Sequence, residues 1–230
     1  MLNSKENLIL QLGSADETTR RFAAEDLGDC GDETAVEPLV GALSDPSPAV
    51  REAALDALTR IGGEAVVLAV LPALRSENVP LRNVACCLLG QLGQTAVAHL
   101  SPLLADGDKD VRLLAIDTLA NIGSCSAEAA IIRALNETDV NIAAAAAALG
   151  EIGAQSAVGP LIATLKSDGW VRCAAAKSLG QIGGPEALRT LAGLVEDQDP
   201  MVAYIAEKAL AEASDEDNVR YGTLLEGTRS

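Results

Sequence analysis

Aromatic side chains are nearly missing: one Phe, one Trp and two Tyr make up 2% of 230 residues. A core large enough for a chain of this length must then be built from Ala, Leu, Ile and Val, a composition that points to packed helices. Positive charge is also scarce, with 17 Lys and Arg against 33 Asp and Glu and a net charge of −16. That balance argues against nucleic acid, whose backbone is bound by cations that release counterions, and against anionic membrane surfaces. Long apolar runs are lacking too. The stretch Leu8 to Leu12 near the N-terminus is too short for a signal-peptide core or a membrane span. Five cysteines are an odd number, and Cys86 and Cys87 are adjacent, so neither a disulfide framework nor a CxxC metal pattern emerges. These absences predict a soluble protein of the reducing cytoplasm.

What the sequence does have is a phrase that keeps returning: "DLGDCG", "ALTRIGG", "LLGQLG", "TLANIG", "ALGEIG" and "SLGQIGG". Their second glycines, Gly31, Gly62, Gly93, Gly123, Gly153 and Gly183, are 31, 31, 30, 30 and 30 residues apart, and a further step of 31 lands on Ser214. Such self-similarity predicts an array of seven copies. Eight residues before each anchor stand Ala23, Ala54, Ala85, Ala115, Ala145, Ala175 and Ala206. Four before stand Leu27, Leu58, Leu89, Leu119, Leu149, Leu179 and Leu210, without exception. A spacing of four puts both columns on one helical face, which the columns twelve before (Val50, Leu81, Val111, Val171, Val202) and one before (Ile61, Leu92, Ile122, Ile152, Ile182) extend.

Each copy therefore opens with an amphipathic helix that the glycine ends through a left-handed turn. A second apolar run follows, as in "TAVEPLVGAL" and "SAVGPLIATL", with Pro38 and Pro160 near its start, where a missing N–H is tolerated. Each repeat reads helix, turn, helix, and Asp45, Asp197 and Asp199 are expected to cap the first helix of the next. "ENLILQLGSADETTR" aligns with "EPLVGALSDPSPAVR", so residues 1–13 read as a capping half-repeat, and the divergent residues 214–230 as a polar C-terminal cap. No boundary interrupts the array, so residues 1–230 are expected to form a single all-α solenoid.

"AVREAALDALTRIG", "DVRLLAIDTLANIG" and "WVRCAAAKSLGQIG", with "AVEPLVGAL" and "AVGPLIATL", resemble the HEAT-like repeats of phycobilisome lyases, from about Leu12 to Ala213. The resemblance implies a right-handed, armadillo-like superhelix whose second helices line a concave face that holds other proteins. Some members of the family attach or remove bilin chromophores. Deoxyhypusine hydroxylase-like members need several His-Glu pairs for a di-iron site, whereas this chain has a single histidine, His99, followed by Leu100. HEAT-like DNA glycosylases need a basic groove, against which the net charge of −16 argues.

Several columns invite a functional reading. Eleven residues before each anchor stand Arg20, Arg51, Arg82, Arg112, Ile142, Arg172 and Ala203. A row of cations could serve an anionic ligand, but stacked repeats favour a structural ladder in which each Arg pairs with carboxylates of neighbouring turns, Asp45 and Asp106 among them. "DGDKD" (Asp106, Asp108, Asp110) lacks the glycine and glutamate of a calcium loop, and helix capping accounts for it. Cys30 and Cys86 fall in apolar columns and are expected in the core, Cys87 and Cys173 in solvent-facing columns, and Cys125 in an inter-helix turn. No basic cluster activates these thiols. A lone histidine without a visible orienting partner does not make a catalytic site, though His99 can face a partner from the second helix of the third repeat.

The column thirteen before each anchor turns from Thr18, Ala49, Pro80 and Asp110 to Val140, Trp170 and Met201. Neighbouring repeats stack side by side, so these last three predict an apolar ridge on one rim, beside the bare "AAAAAA" of Ala143 to Ala148. Trp170 could instead staple its own helix start to the adjacent turn. The expected function is a non-enzymatic adaptor that presents an acidic surface to a partner protein with a basic one, without cofactor or metal. A bilin lyase-like subunit is the alternative that the resemblance supplies, and a structural or regulatory subunit of a larger complex is a third.

Overall fold

A computed structural model describes residues 4–135 and 141–217. A leading helix α1 (Ser4–Gln11) is followed by the hairpins α2 (Glu17–Cys30) with α3 (Val36–Ala42), α4 (Pro48–Ile61) with α5 (Gly63–Val70), and α6 (Val79–Leu92) with α7 (Gln94–Leu100). Next come α8 (Lys109–Ile122) with α9 (Cys125–Ala134), α10 (Ile142–Glu151) with α11 (Val158–Thr164), α12 (Gly169–Ile182) with α13 (Pro185–Leu194), and α14 (Pro200–Asp217). No strand occurs among the described residues, and the fold class is an all-α solenoid. The expected C-terminal cap lies outside the described residues beyond Asp217.

Contacts divide the chain into two compact units, residues 1–124 and 125–230, with the division between the two helices of the fourth repeat. In the first unit α2, α4, α6 and α8 pack each on the next to form one layer, and α3, α5 and α7 form the other. In the second unit α10, α12 and α14 pack in the same way, with α11 against α13. Every contact of this kind joins neighbours in the repeat order, as expected of a solenoid.

The alanine column lies at the centre of each layer, from Ala23 to Ala206, at 1% exposure or less. Leu27, Leu58, Leu89, Leu119, Leu149 and Leu179 are fully buried beside it, while Leu210 on the last first-helix is half-buried. Each buried leucine contributes about 1.5–3 kcal/mol of transfer free energy. The column one residue before the anchor, apart from buried Ile182, lies further out than its spacing implies. Ile61, Leu92, Ile122 and Ile152 are only half-buried, and Cys30 is exposed rather than in the core, because this position is the last of its helix and lies at the edge of the seam. Cys86 and Cys173 are half-buried, and Cys87 and Cys125 exposed, with Cys125 opening α9 rather than sitting in a turn.

All six anchor glycines take positive φ. At Gly31 (φ 64°, ψ 24°) the left-handed turn returns its N–H to the Gly28 carbonyl and closes α2. At Gly153 the same turn lets the Ala154 N–H reach back to the Leu149 carbonyl at 3.0 Å. Four of the second helices carry a 3₁₀ segment, placed by proline. Where proline falls early, at Pro38 and Pro160, a short 3₁₀ turn (Glu33–Ala35, Gln155–Ala157) precedes the helix. Where it falls late, at Pro72 and Pro102, the α-helix gives way to a 3₁₀ segment (Leu71–Arg75, Ser101–Ala105), because proline has no N–H for the α ladder.

A second glycine column, three residues before the anchor, sets how closely first helices approach. A Cβ on Gly28 would stand 2.7 Å from Cα and Cβ of Ala57 on α4, and one on Gly150 would stand 2.7 Å from Cα of Ser178 on α12. Buried Ser178 uses that proximity, its hydroxyl donating across the seam to the Ala146 carbonyl at 2.7 Å. Gly90 belongs to the same column, but a Cβ there would meet nothing within 4 Å. Gly150→Ala should therefore destabilise by about 1–3 kcal/mol through overpacking. Gly90→Ala should stabilise by about 0.5–1 kcal/mol through helix propensity. Urea titrations of the two variants check the opposite signs.

Candidate partner-binding surface

The inter-repeat turns fix the frame on which the outer surface is carried. In four repeats the Arg of the ladder reaches into the turn before its own helix. Arg20 Nη1 donates to the Ser14 and Ala15 carbonyls (2.9 and 3.1 Å), and Arg51 to those of Asp45 and Pro46 (2.7 and 3.0 Å). Arg82 donates to the Ser76 carbonyl (2.8 Å), and Arg112 to those of Asp106 and Gly107 (2.7 and 3.3 Å). The recurrent partner is thus a main-chain carbonyl, which every turn offers whatever its sequence. At two places the ladder arginine also pairs with a carboxylate of the next turn. Arg20 holds Asp45 in a bidentate pair (2.7 and 2.9 Å), and Arg172 pairs with Asp197. Asp106 pairs instead with Arg75, at the end of the second repeat's second helix.

The expected capping aspartates divide in the same way. Asp199 accepts the Met201 N–H at 2.9 Å and starts α14, and Asp108 accepts the Asp110 N–H at the same distance and starts α8. Asp45 and Asp197 are not caps: each lies two residues ahead of the residue that precedes the helix, Ser47 or Asp199, accepts that residue's N–H at 2.8 Å, and turns its carboxylate to an Arg of the preceding repeat. The Arg20 guanidinium, then the Ser47 N–H, holds the Asp45 carboxyl below the usual range, and the Asp199 N–H followed by Arg172 does so for Asp197. Burial pushes the Cys86 and Cys173 thiols up.

His99 has a partner that its sequence neighbourhood does not reveal: its Nε2 lies 3.0 Å from Glu64 Oε1, one repeat earlier. The pair becomes legible only when second helices are aligned on their anchors, with Glu64 two residues after Gly62 and His99 six after Gly93. Exposed Leu68 lies on the same helix as Glu64. Among the described residues no group of three or more His, Cys, Asp or Glu is placed to hold a metal ion, and no helix is long and apolar enough to cross a membrane.

In the second unit, Trp170 opens α12 at 78% exposure and Met201 opens α14 at 59%. Val140 lies outside the described residues. Tyr204, one turn beyond Met201, is 61% exposed and was not among the expected ridge residues. Its signal lies ten residues before the anchor, where Arg21, Glu52 and Asn83 occupy the corresponding places in the first unit. Between α12 and α14 runs a groove of about 390 Å³, lined by Lys177, Gln181, Tyr204, Ile205, Lys208 and Glu212 among others.

Stacked helical hairpins of this kind define the class of repeat solenoids. The HEAT-repeat family matches over residues 6–89 and 129–211, and the chain belongs to that family. Its fold is similar to human deoxyhypusine hydroxylase (21% identity, 94% of this chain and 86% of that chain, TM-score 0.49). It is also similar to an engineered protein (26%, 93% and 69%, 0.43) and to the complex of CpcE and CpcF of phycocyanin lyase from Nostoc sp. PCC7120 (24%, 93% and 96%, 0.40). No curated protein sequence matches the chain.

Because the Asp45 carboxyl is held low in the folded chain, its contribution to stability is present above the ordinary aspartate range and is lost as pH falls through the lowered folded value. Asp45→Asn should reduce stability at pH 7 and flatten the acid limb below about pH 4. Thermal melts across pH 2 to 7, by circular dichroism, check both effects.

Proposed function

We propose that this HEAT-repeat chain is a non-enzymatic interaction scaffold that holds a partner protein on the outer surface of its first helices. One observation carries the reading: the single tryptophan, the residue type most enriched at interface centres, is 78% exposed at the start of α12 with Met201 exposed at the equivalent place on α14. Singly exposed apolar residues are ordinary, whereas large apolar side chains at one register on adjacent packed helices form a continuous ridge. Staple packing at Trp170 would bury the ring, and its exposure favours the ridge.

On the outer surface of the first unit Glu52, Asp56 and Asp117 are exposed and Glu25 half-exposed. That surface suits a partner region of basic character, which it would attract over several ångströms at low salt. His99, held by Glu64, is a further contact candidate on the second helices.

Trp170→Ala combined with Met201→Ala should leave helicity unchanged and remove the partner recovered by affinity capture from lysate of the source organism. Equal recovery by wild type and the double variant would overturn the ridge as the docking site.

A further inference from the structure

Four columns of the first helices, thirteen, ten, six and two residues before the anchor, follow the i, i+3, i+7, i+11 spacing of one helical stripe. In the first unit the stripe reads Thr18, Arg21, Glu25, Asp29 on α2, Ala49, Glu52, Asp56, Arg60 on α4, Pro80, Asn83, Cys87, Gln91 on α6, and Asp110, Leu113, Asp117, Asn121 on α8. In the second unit it reads Trp170, Cys173, Lys177, Gln181 on α12 and Met201, Tyr204, Lys208, Glu212 on α14. The position six before the anchor, a carboxylate on α2, α4 and α8, Cys87 on α6 and Ala147 on α10, is thus an ammonium on α12 and α14, where the position thirteen before it is large and apolar. Both features occur on two helices packed against each other, in the same register. Trp170 and Met201 lie at the N-terminal ends of the stripes, and Lys177 and Lys208 follow seven residues later, a rise of about 10.5 Å.

The groove between the stripes is formed by these same lysines together with Tyr204, Ile205 and Glu212. Lys208 is engaged by Glu212 at 3.6 Å, while Lys177 is exposed and has no carboxylate partner among the described residues. In a chain of net charge −16, two lysines side by side on an exposed groove make a local reversal of sign. Resting on the scaffold reading above, we infer that the α12–α14 face docks an acidic amphipathic helix, whose apolar residue covers Trp170 and Met201 and whose carboxylates, two turns away, meet Lys177 and Lys208. Charge complementarity fixes the choice of an acidic segment over a basic one, and the two-turn offset fixes its period.

Trp170 is the chain's sole tryptophan, so its emission reports on this face directly. The probe is a synthetic helix of about four turns with a leucine stripe and glutamates seven residues from its leading leucine, compared with the same peptide carrying lysine for glutamate. The glutamate peptide should shift Trp170 emission to the blue in a saturable way, and the lysine peptide should not. Lys177→Glu with Lys208→Glu should weaken the glutamate peptide roughly tenfold, the sum that two exposed ion pairs supply, and admit the lysine peptide. Equal binding of both peptides to wild type would overturn the charge inference and leave the ridge standing. Absence of any shift with either peptide would overturn the inference as a whole, and the capture experiment with the Trp170 and Met201 variant decides the ridge separately.

Discussion

Close contact between successive first helices is the constraint from which the rest of the structure follows. It requires alanine at the centre of every repeat and, where the backbones come nearest, glycine facing Ala57, Ser178 or Ala209. With the helix surfaces this close, aliphatic side chains suffice for a dense core, and a chain with one phenylalanine can fold without larger rings. It also dictates where large side chains can go. Trp170, Met201 and Tyr204 have no room at the seam, and on the outer face they are available to something else.

The turns solve a different problem. A solenoid must end and restart a helix about every fifteen residues, leaving carbonyls without intrahelical partners each time. The ladder arginines meet that need from within the following helix, with the guanidinium directed at carbonyls five and six residues back. Asp45 and Asp197 couple this local arrangement to the preceding repeat. Register between repeats is thereby held on one side by packing of methyl groups and on the other by hydrogen bonds at the turn.

Most of the architecture was legible in the sequence, because a repeat displays each position several times and a column averages away local accidents. The alanine and leucine columns, the anchor glycines and the two helices per repeat are all of that kind. Legibility fails where repeats differ from one another. Cys30 was misplaced because periodicity gives the angle of a residue around the helix and not its distance from the helix end. The switch of the second helices into 3₁₀ segments follows the position of proline, which shifts by two or three residues between otherwise similar repeats. The Glu64–His99 pair and the Tyr204 stripe are contacts between repeats, visible only once equivalent positions are set side by side in space.

Neighbour-only contact gives such a stack the mechanics of springs in series, in which a load is shared equally but strain collects at the most compliant link. The links are unequal. Those at Gly28, Gly150 and Gly180 are backbone-tight, whereas the one at Gly90 leaves open space beside α6, and the second helices on either side of α6 run on into weaker 3₁₀ turns. Bending of the first unit would then concentrate around α6, leaving its other helices to move as nearly rigid bodies, so that a repeat protein of uniform design acquires a joint simply by omitting one close fit.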